Sequence, residues 1–255
     1  MSTVHNLNVG CADANVIVTS TATFLVDTFG IESFTHLLPA NKSLRGVFVT
    51  HQHADHYGGL KYLRDNRYSI ECLFHSPYIR RHGDNSVTIE EWNEHNDHVE
   101  FFRKRGTKVY SPFRQTDWSK PYWSTDGVEF RMLGPAEHIA KSDTRELHDA
   151  CLVILASLGC RKFCLTGDAS DTNLQQIAEQ TTNYCDDVLS ASHHGSINGA
   201  CLDFIKKARA KYTVVSTKSG VYENVPHPTA VQRYRDNTSV RLYRTDVDGT
   251  ITWDL

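Results

Sequence analysis

The amino-acid sequence predicts an α/β protein in which two β-sheets are faced by helices, an αβ/βα sandwich. Three observations carry this reading. Short β-branched and apolar runs recur in both halves of the 255-residue chain. Helical stretches separate many of them, where an all-β chain would have only turns. Several segments bearing histidine or aspartate follow directly on predicted strands, as when a rigid sheet presents reacting groups at one rim.

The first third is rich in strands. Residues 15–19 and 23–28 are two such runs joined by a polar turn. Residues 46–50 form a third, which delivers the chain to His51. Residues 58–67 read as the start of a helix with Leu60 and Leu63 on one side, and residues 70–74 as a further strand closed by Ser76 and Pro77. Residues 88–105 make the clearest amphipathic helix, with Ile89, Trp92, Val99 and Phe102 marking its apolar face. Thr88 and Glu91 fit a capping box, and Gly106 fits a stop. His95 and His98 then fall on the solvated face. Residues 114–126, which hold Trp118, Pro121, Tyr122 and Trp123, read as an irregular surface loop, suited to a homodimer contact or a substrate lid.

A second β-rich half opens at 128–133. Residues 151–158 and 162–166 are strands, the latter ending at Gly167 and Asp168. A helix around 173–180 follows, then a strand at 187–191 that runs into His193, His194, Gly195 and Ser196. Residues 204–210 are helical, 212–216 extended and 229–236 a short helix. The end, 240–245 and 250–254, reads as a hairpin turned by Asp248 and Gly249.

Composition narrows the function. With 40% hydrophobic and 22% charged residues the chain can bury a sizeable core, as one domain of two fused αβ halves meeting near residue 126. The formal net charge of -3 lacks the basic excess of a protein that coats nucleic acid. Seven cysteines, an odd number, forbid a complete intrachain disulfide framework. The first ten residues hold no basic segment followed by an apolar one, so no secretory signal is expected. No apolar run reaches the roughly 18–20 residues of a membrane span. A reduced, cytoplasmic protein without a membrane partner is the expectation.

The chemistry concentrates between residues 47 and 59. His51, His53, Asp55 and His56 place four potential ligands within six positions. Alternation puts His51 and His53 on one side of an extended chain, from which Asp55 and His56 can turn onto a neighbouring site. Imidazole and carboxylate suit Zn²⁺, and also Mn²⁺ or iron. Gly58 and Gly59 would let the backbone turn tightly into the following helix.

His51–Gln52–His53–Ala54–Asp55–His56 resembles the HxHxDH signature of the metallo-β-lactamase superfamily. More narrowly, the chain is similar over nearly its whole length to the hydrolase domain of ComEC-type DNA-uptake proteins and their free-standing relatives. Residues 8–14 stand where that group has its opening turn, and 24–28 resemble its LIDTG strand. Residues 165–168 match LTGD, 192–196 match HHGS, His227 and Pro228 match a late HP element, and 243–251 match a closing hairpin. The resemblance implies the superfamily's four-layer αβ/βα sandwich of two mixed sheets flanked by helices.

It also implies roles. His51 and His53 would bind a first metal ion, Asp55 and His56 a second, and Asp168 would bridge them. One of His193 and His194 would complete the second site, with His194 preferred as ligand and His193 as substrate contact. The third ligand of the first site would be His148, twenty positions before Asp168, with Asp149 as the alternative. ComEC-type domains often carry aspartate at the position of His53 and an asparagine-like residue at that of His148, so this chain departs towards a zinc-type site. His227, stiffened by Pro226 and Pro228, would be a substrate or oxyanion contact. Ser196, Tyr222 and Lys218 are candidate phosphate contacts. The histidines at 5, 36, 75, 82, 95, 98 and 138 receive no role.

Two such ions, zinc first and manganese as the alternative, would share a water and lower its pKa, so that a hydroxide attacks a polarised electrophile. Asp55 would orient the nucleophile. His193 or His227 would stabilise charge or protonate the leaving oxygen. Fold leaves the substrate open. The HHGS-like and HP elements favour a phosphodiester, in DNA, RNA or a cyclic nucleotide. Hydrolysis of a lactone, thioester or β-lactam is the competing reading, and a metal-binding regulatory module with little turnover is a third. The last 55 residues hold nine Lys or Arg against six Asp or Glu, which suits a solvated basic face or a shallow nucleic-acid groove.

Overall fold

The computed structural model describes residues 2–117, 120–144, 146–180 and 184–255. Its strands are β1 (Thr3–Asn6), β2 (Ala14–Val18), β3 (Thr23–Thr28), β4 (Ser43–Val49), β5 (Ser69–His75), β6 (Lys108–Tyr110) and β7 (Trp123–Thr125). They continue with β8 (Val128–Gly134), β9 (Val153–Leu158), β10 (Arg161–Leu165), β11 (Val188–Ser190), β12 (Tyr212–Val215), β13 (Arg241–Arg244) and β14 (Ile251–Asp254). The helices are α1 (Ala54–Tyr57), α2 (Gly59–Asp65), α3 (Ile89–Lys104), α4 (Glu137–Ala140), α5 (Asp171–Gln180), α6 (Leu202–Ala208), α7 (Pro228–Asp236) and α8 (Thr245–Asp248).

Two seven-stranded sheets result, in the orders β14-β1-β2-β3-β4-β5-β6 and β13-β12-β11-β10-β9-β8-β7. Both are mixed. In the first sheet β3, β4, β5 and β6 run parallel and the other pairs antiparallel. In the second, β10 to β13 are parallel and β7 to β10 antiparallel.

Period-two alternation explains the layering. On β4, Phe48 points between the sheets, where it meets Phe24, Phe74, Phe130 and Ile154. Its neighbours Val47 and Val49 point the other way, onto Leu60, Leu63, Val99 and Phe102 of the helices. On β9 and β10, Ile154 and Phe163 face the intersheet core, while Val153 and Cys164 pack under Leu174, Phe204 and Tyr234. Burying each such large side chain contributes about 1.5–3 kcal/mol. The order is helices, sheet, sheet, helices, the four-layer sandwich expected from the sequence.

Three readings need correction. The C-terminal strands are not a hairpin. β13 pairs with β12 in the second sheet and β14 with β1 in the first, because α8 and Gly249 carry the chain from one sheet to the other. The unforeseen β1 supplies the edge that β14 needs. Trp123 is no loop residue. It sits on β7, its indole among Phe24, Phe48, Phe74 and Phe130. Trp118 lies outside the described residues. Finally, His95 and His98 are buried at 0% and 4% exposure, while Ile89 is 55% exposed. The buried stripe of α3 is 95, 98, 99 and 102, and Val99 and Phe102 set its phase. The capping box forms as read: Thr88 Oγ1 accepts Glu91 N–H at 3.1 Å, and Glu91 Oε2 accepts Thr88 N–H at 3.3 Å.

Candidate metal centre

β4 ends at Val49, and the ligand-rich segment leaves the sheet there. Asp27, at the end of the adjacent parallel strand β3, organises it. Its Oδ1 accepts Thr50 N–H, and its Oδ2 accepts the Thr50 hydroxyl and His56 Nδ1–H, each at 2.8 Å. Asp27 holds a left-handed φ of 57°, costly for a non-glycine residue. Gly58 and Gly59 serve a purpose other than the expected turn, since neither is left-handed. A Cβ on Gly59 would stand 1.8 Å from the Thr28 carbonyl oxygen, so close packing of α1 and α2 on β3 demands glycine there.

The second half of the chain meets this segment at the same rim. Leu152 N–H donates to the Thr50 carbonyl at 2.9 Å. Gly167, with φ of 48°, brings its Cα against Thr50, where a Cβ would lie 2.5 Å from Oγ1. This contact seats Asp168 beside the histidines of the first half. His193 and His194 follow β11 in consecutive left-handed conformations, φ 53° and 54°. Their turn is pinned from outside. Ser192 Oγ donates to the Gly167 and Ala169 carbonyls, and Tyr234 Oη accepts Ser192 N–H and donates to the Gly199 carbonyl.

The side chains converge on Asp168. Its Oδ2 lies 3.8 Å from His51 Nε2 and 3.7 Å from His193 Nε2. Its Oδ1 lies 3.3 Å from His56 Nε2 and 3.5 Å from His194 Nε2. His194 Nε2 is also 3.4 Å from Asp55 Oδ2, and His51 Nε2 is 3.1 Å from His53 Nδ1. His51, His53, His148 and Asp168 form one group with ligand-capable atoms within 4.8 Å, and Asp55, His56 and His194 another.

The far ring nitrogens fix the tautomers. His56 Nδ1–H donates to Asp27, His194 Nδ1–H to the Ser216 carbonyl at 3.0 Å and His148 Nδ1–H to Glu146 at 2.7 Å. His53 is reversed, its Nε2–H donating to the Ser86 carbonyl at 2.7 Å. Since these partners only accept, each neutral ring turns a lone pair inward. Asp168 Oδ1 and the Nε2 atoms of His56, His148 and His194 are buried without any hydrogen-bond partner. Each such orphan costs about 1–3 kcal/mol. Divalent ions would satisfy all of them, so the donor set fits metal.

Charge is distributed unevenly. Burial depresses the His56 imidazole, but Asp168, Asp27 and Asp55 together carry it well above its usual value. Burial opposes His194 likewise, yet Asp168, Asp55 and Asp13 raise it to about 9. Burial would raise Asp168, but His194, His56 and His193 hold it well below the carboxylate range. His51 goes the other way, driven well down by burial and by His56.

The remaining candidates divide. Asp149 accepts Ser170 Oγ–H at 2.5 Å and stands outside the ligand groups, whereas His148 stands inside. A cavity of about 310 Å³ opens over the centre, lined by Asp55, Glu91, Asp168, His193, His194 and Tyr222 among others. His227 caps α7, its Nδ1 accepting Thr229 N–H at 3.1 Å, and Ser196 Oγ accepts Asn198 N–H at 3.4 Å; neither lines that cavity. Lys218 lines a separate cleft. Sequence reasoning assigned no role in the site to Asp27, Asp13, Glu91 or Tyr234. Asp27 and Asp13 had a local signal, each a carboxylate inside a matched motif.

The sequence profile described as metallo-beta-lactamase superfamily matches residues 9–217. Among solved structures the chain is similar to YhfI of Bacillus subtilis, a metallo-beta-lactamase fold protein, with TM-score 0.60 and 13% identity over 99% of both chains. It is similar to CmlA of Streptomyces venezuelae, a diiron β-hydroxylase, with TM-score 0.58 and 14% identity over 100% of this chain and 54% of that one. Human tRNase Z, short form, gives TM-score 0.54 and 14% identity over 99% and 100%. At such identities the likeness concerns the fold alone. No curated protein sequence matches the chain. The profile covers most of the chain and runs past the His193–His194 turn, and the chain therefore belongs to the metallo-β-lactamase superfamily.

Proposed function

We propose that the chain is a binuclear metal-dependent hydrolase acting on a phosphodiester. The observation that carries this reading is the double-faced Asp168, whose two oxygens address two groups of inward lone pairs. His51, His53 and His148 would hold a first ion, Asp55, His56 and His194 a second, and Asp168 both. Bound there, two divalent ions would acidify water and neutralise charge on a phosphoryl transition state. The histidine-rich first group supports zinc, with manganese or iron as competitors that elemental analysis resolves.

The chain's own groups supply the rest. Asp55, the most exposed carboxylate of the centre, orients the attacking oxygen. His193 is 27% exposed, lies 4.7 Å from the His148 ring at a tilt of 32° and lines the cavity. It is placed to steady charge or hand a proton to the leaving oxygen. Tyr222 offers its hydroxyl to the substrate from the outer wall.

A carbonyl substrate is the second reading. It draws support from the cavity wall, where Glu91 stands and no Lys or Arg appears among the described lining residues. Incubation of the metal-loaded protein with bis(p-nitrophenyl) phosphate, single-stranded DNA, a cyclic nucleotide panel and nitrocefin separates the two. Phosphodiester cleavage lost on chelation is the expected result. Turnover of nitrocefin or a lactone alone would sink the phosphodiester reading. The described residues include no helix long and apolar enough to cross a membrane.

A further inference from the structure

A second cleft, of about 710 Å³, opens between the segment that follows β1, the segment that follows β3 and the Lys218–Ser219 loop. Its volume falls in the range of small-molecule sites. The walls are Val9, Phe29 and Phe34, and the rim carries Ser33, Ser219 and Lys218. Phe29 is 37% exposed, so an aromatic face is available there. Asp246 also borders the cleft, but its charge is spent. Arg244 donates to both its oxygens at 3.1 and 2.8 Å, and Ser219 adds N–H and O–H bonds at 3.1 Å. The Lys218 ammonium has neither ion pair nor hydrogen bond among the described residues. The cleft therefore brings together one unpaired cation, two aromatic rings and two hydroxyls.

The cleft is tied to the metal centre through one loop. Ser216 receives His194 Nδ1–H on its carbonyl and sends its own hydroxyl to the Ala12 carbonyl at 2.7 Å. Two residues on, Lys218 enters the cleft, and further along Tyr222 and Val225 line the metal cavity. A molecule held between Phe29 and Lys218 thus borders the loop that shapes the metal cavity. The metal cavity has no Lys or Arg among its described lining residues, and Lys218 in this neighbouring cleft offers an acidic substituent a fixed counter-charge away from the metal centre.

We propose that this cleft is a recognition subsite for the distal part of the substrate, and that it takes a flat, hydrogen-bonding ring bearing an acidic group, as in a mononucleotide. A ring lies on Phe29 and Phe34, the acidic group pairs with Lys218, and Ser33 and Ser219 meet polar edges of the ring. The proposal extends the phosphodiesterase reading to a substrate with a nucleotide-like tail, yet its test does not depend on turnover.

Calorimetric titration of the metal-loaded protein with 5′-AMP, adenosine and inorganic phosphate decides it. AMP should bind with saturation, and more tightly than adenosine or phosphate. Affinity for AMP should fall at least tenfold in Lys218→Ala and in Ser33→Glu. Both positions are exposed, so folding is not at stake. Asp168→Ala should keep AMP binding, because the ligand does not sit on the metals. Absence of saturable AMP binding would overturn the proposal. So would unchanged affinity in both cleft variants, or loss in Asp168→Ala while Lys218→Ala binds normally. AMP binding with this pattern, in a protein that cleaves no phosphodiester, would leave the subsite standing and reject the hydrolase reading.

Discussion

The two halves of the metal centre use the same imidazoles in opposite electrostatic settings. Around His56 and His194 lie Asp13, Asp27, Asp55 and Asp168, and Asp13 and Asp27 are only 6% and 1% exposed. Around His51, His53 and His148 the supports are the Thr50 hydroxyl, the Ser86 carbonyl and an exposed Glu146. The carboxylate-rich side holds its histidines above their ordinary pKa, and the other side drives His51 below. What differs is the number of buried negative charges facing the ring, which is also what attracts a cation. If both groups hold ions, the carboxylate-rich one should be the stronger cation trap.

The largest effect expected is at the shared residue. Asp168→Ala should release both ions and abolish hydrolysis, read by elemental analysis and bis(p-nitrophenyl) phosphate turnover. Substitutions of the outer partners sharpen the contrast. Asp27→Asn should weaken the second ion by about 10–100-fold, the usual cost of disturbing a ligand's supporting bond. Glu146→Gln should weaken the first ion far less, because Glu146 is half exposed and solvent can replace it. Equal effects at the two positions would erase the proposed asymmetry.

A smaller effect separates both sites from the helix behind them. Burial pulls His95 down to about 3 and His75 to about 4, from an unfolded value of 6.5. Below pH 6.5 the unfolded chain therefore binds protons that the folded chain refuses. Stability should fall as pH drops from 6.5 towards 4, and urea midpoints at pH 7.5 and 5 measure it. His95→Leu should flatten that slope. An equally steep slope in the variant would assign the loss to other groups. Smallest of all, Tyr222→Phe should raise KM a few-fold with kcat nearly unchanged, since Tyr222 lines the cavity and stands outside the ligand groups.

Legibility followed chain distance. His51 to His56 could be read because four potential ligands lie in one strand exit, Asp168 and His194 because they follow strands in matched motifs, and His148 from its spacing of twenty positions ahead of Asp168. Their supports were hidden. The bonds of His53 to the Ser86 carbonyl and His194 to the Ser216 carbonyl use backbone atoms, which leave no mark in a sequence. Tyr234 reaches Ser192 across 42 positions. His227 and Ser196 show a second ambiguity: a polar residue in a matched motif also makes a good helix cap, and both make that contact. His95 and His98 were assigned to solvent by polarity, but Val99 and Phe102 dictate which face of α3 is buried.

The central claim is that one carboxylate serves two ions. Elemental analysis of the purified chain beside Asp168→Ala and Asp27→Asn, with circular dichroism to confirm folding, tests it most directly. Two ions per chain in the parent, none in Asp168→Ala and one in Asp27→Asn is the expected pattern. A single ion in the parent, or two ions retained in Asp168→Ala, would contradict it.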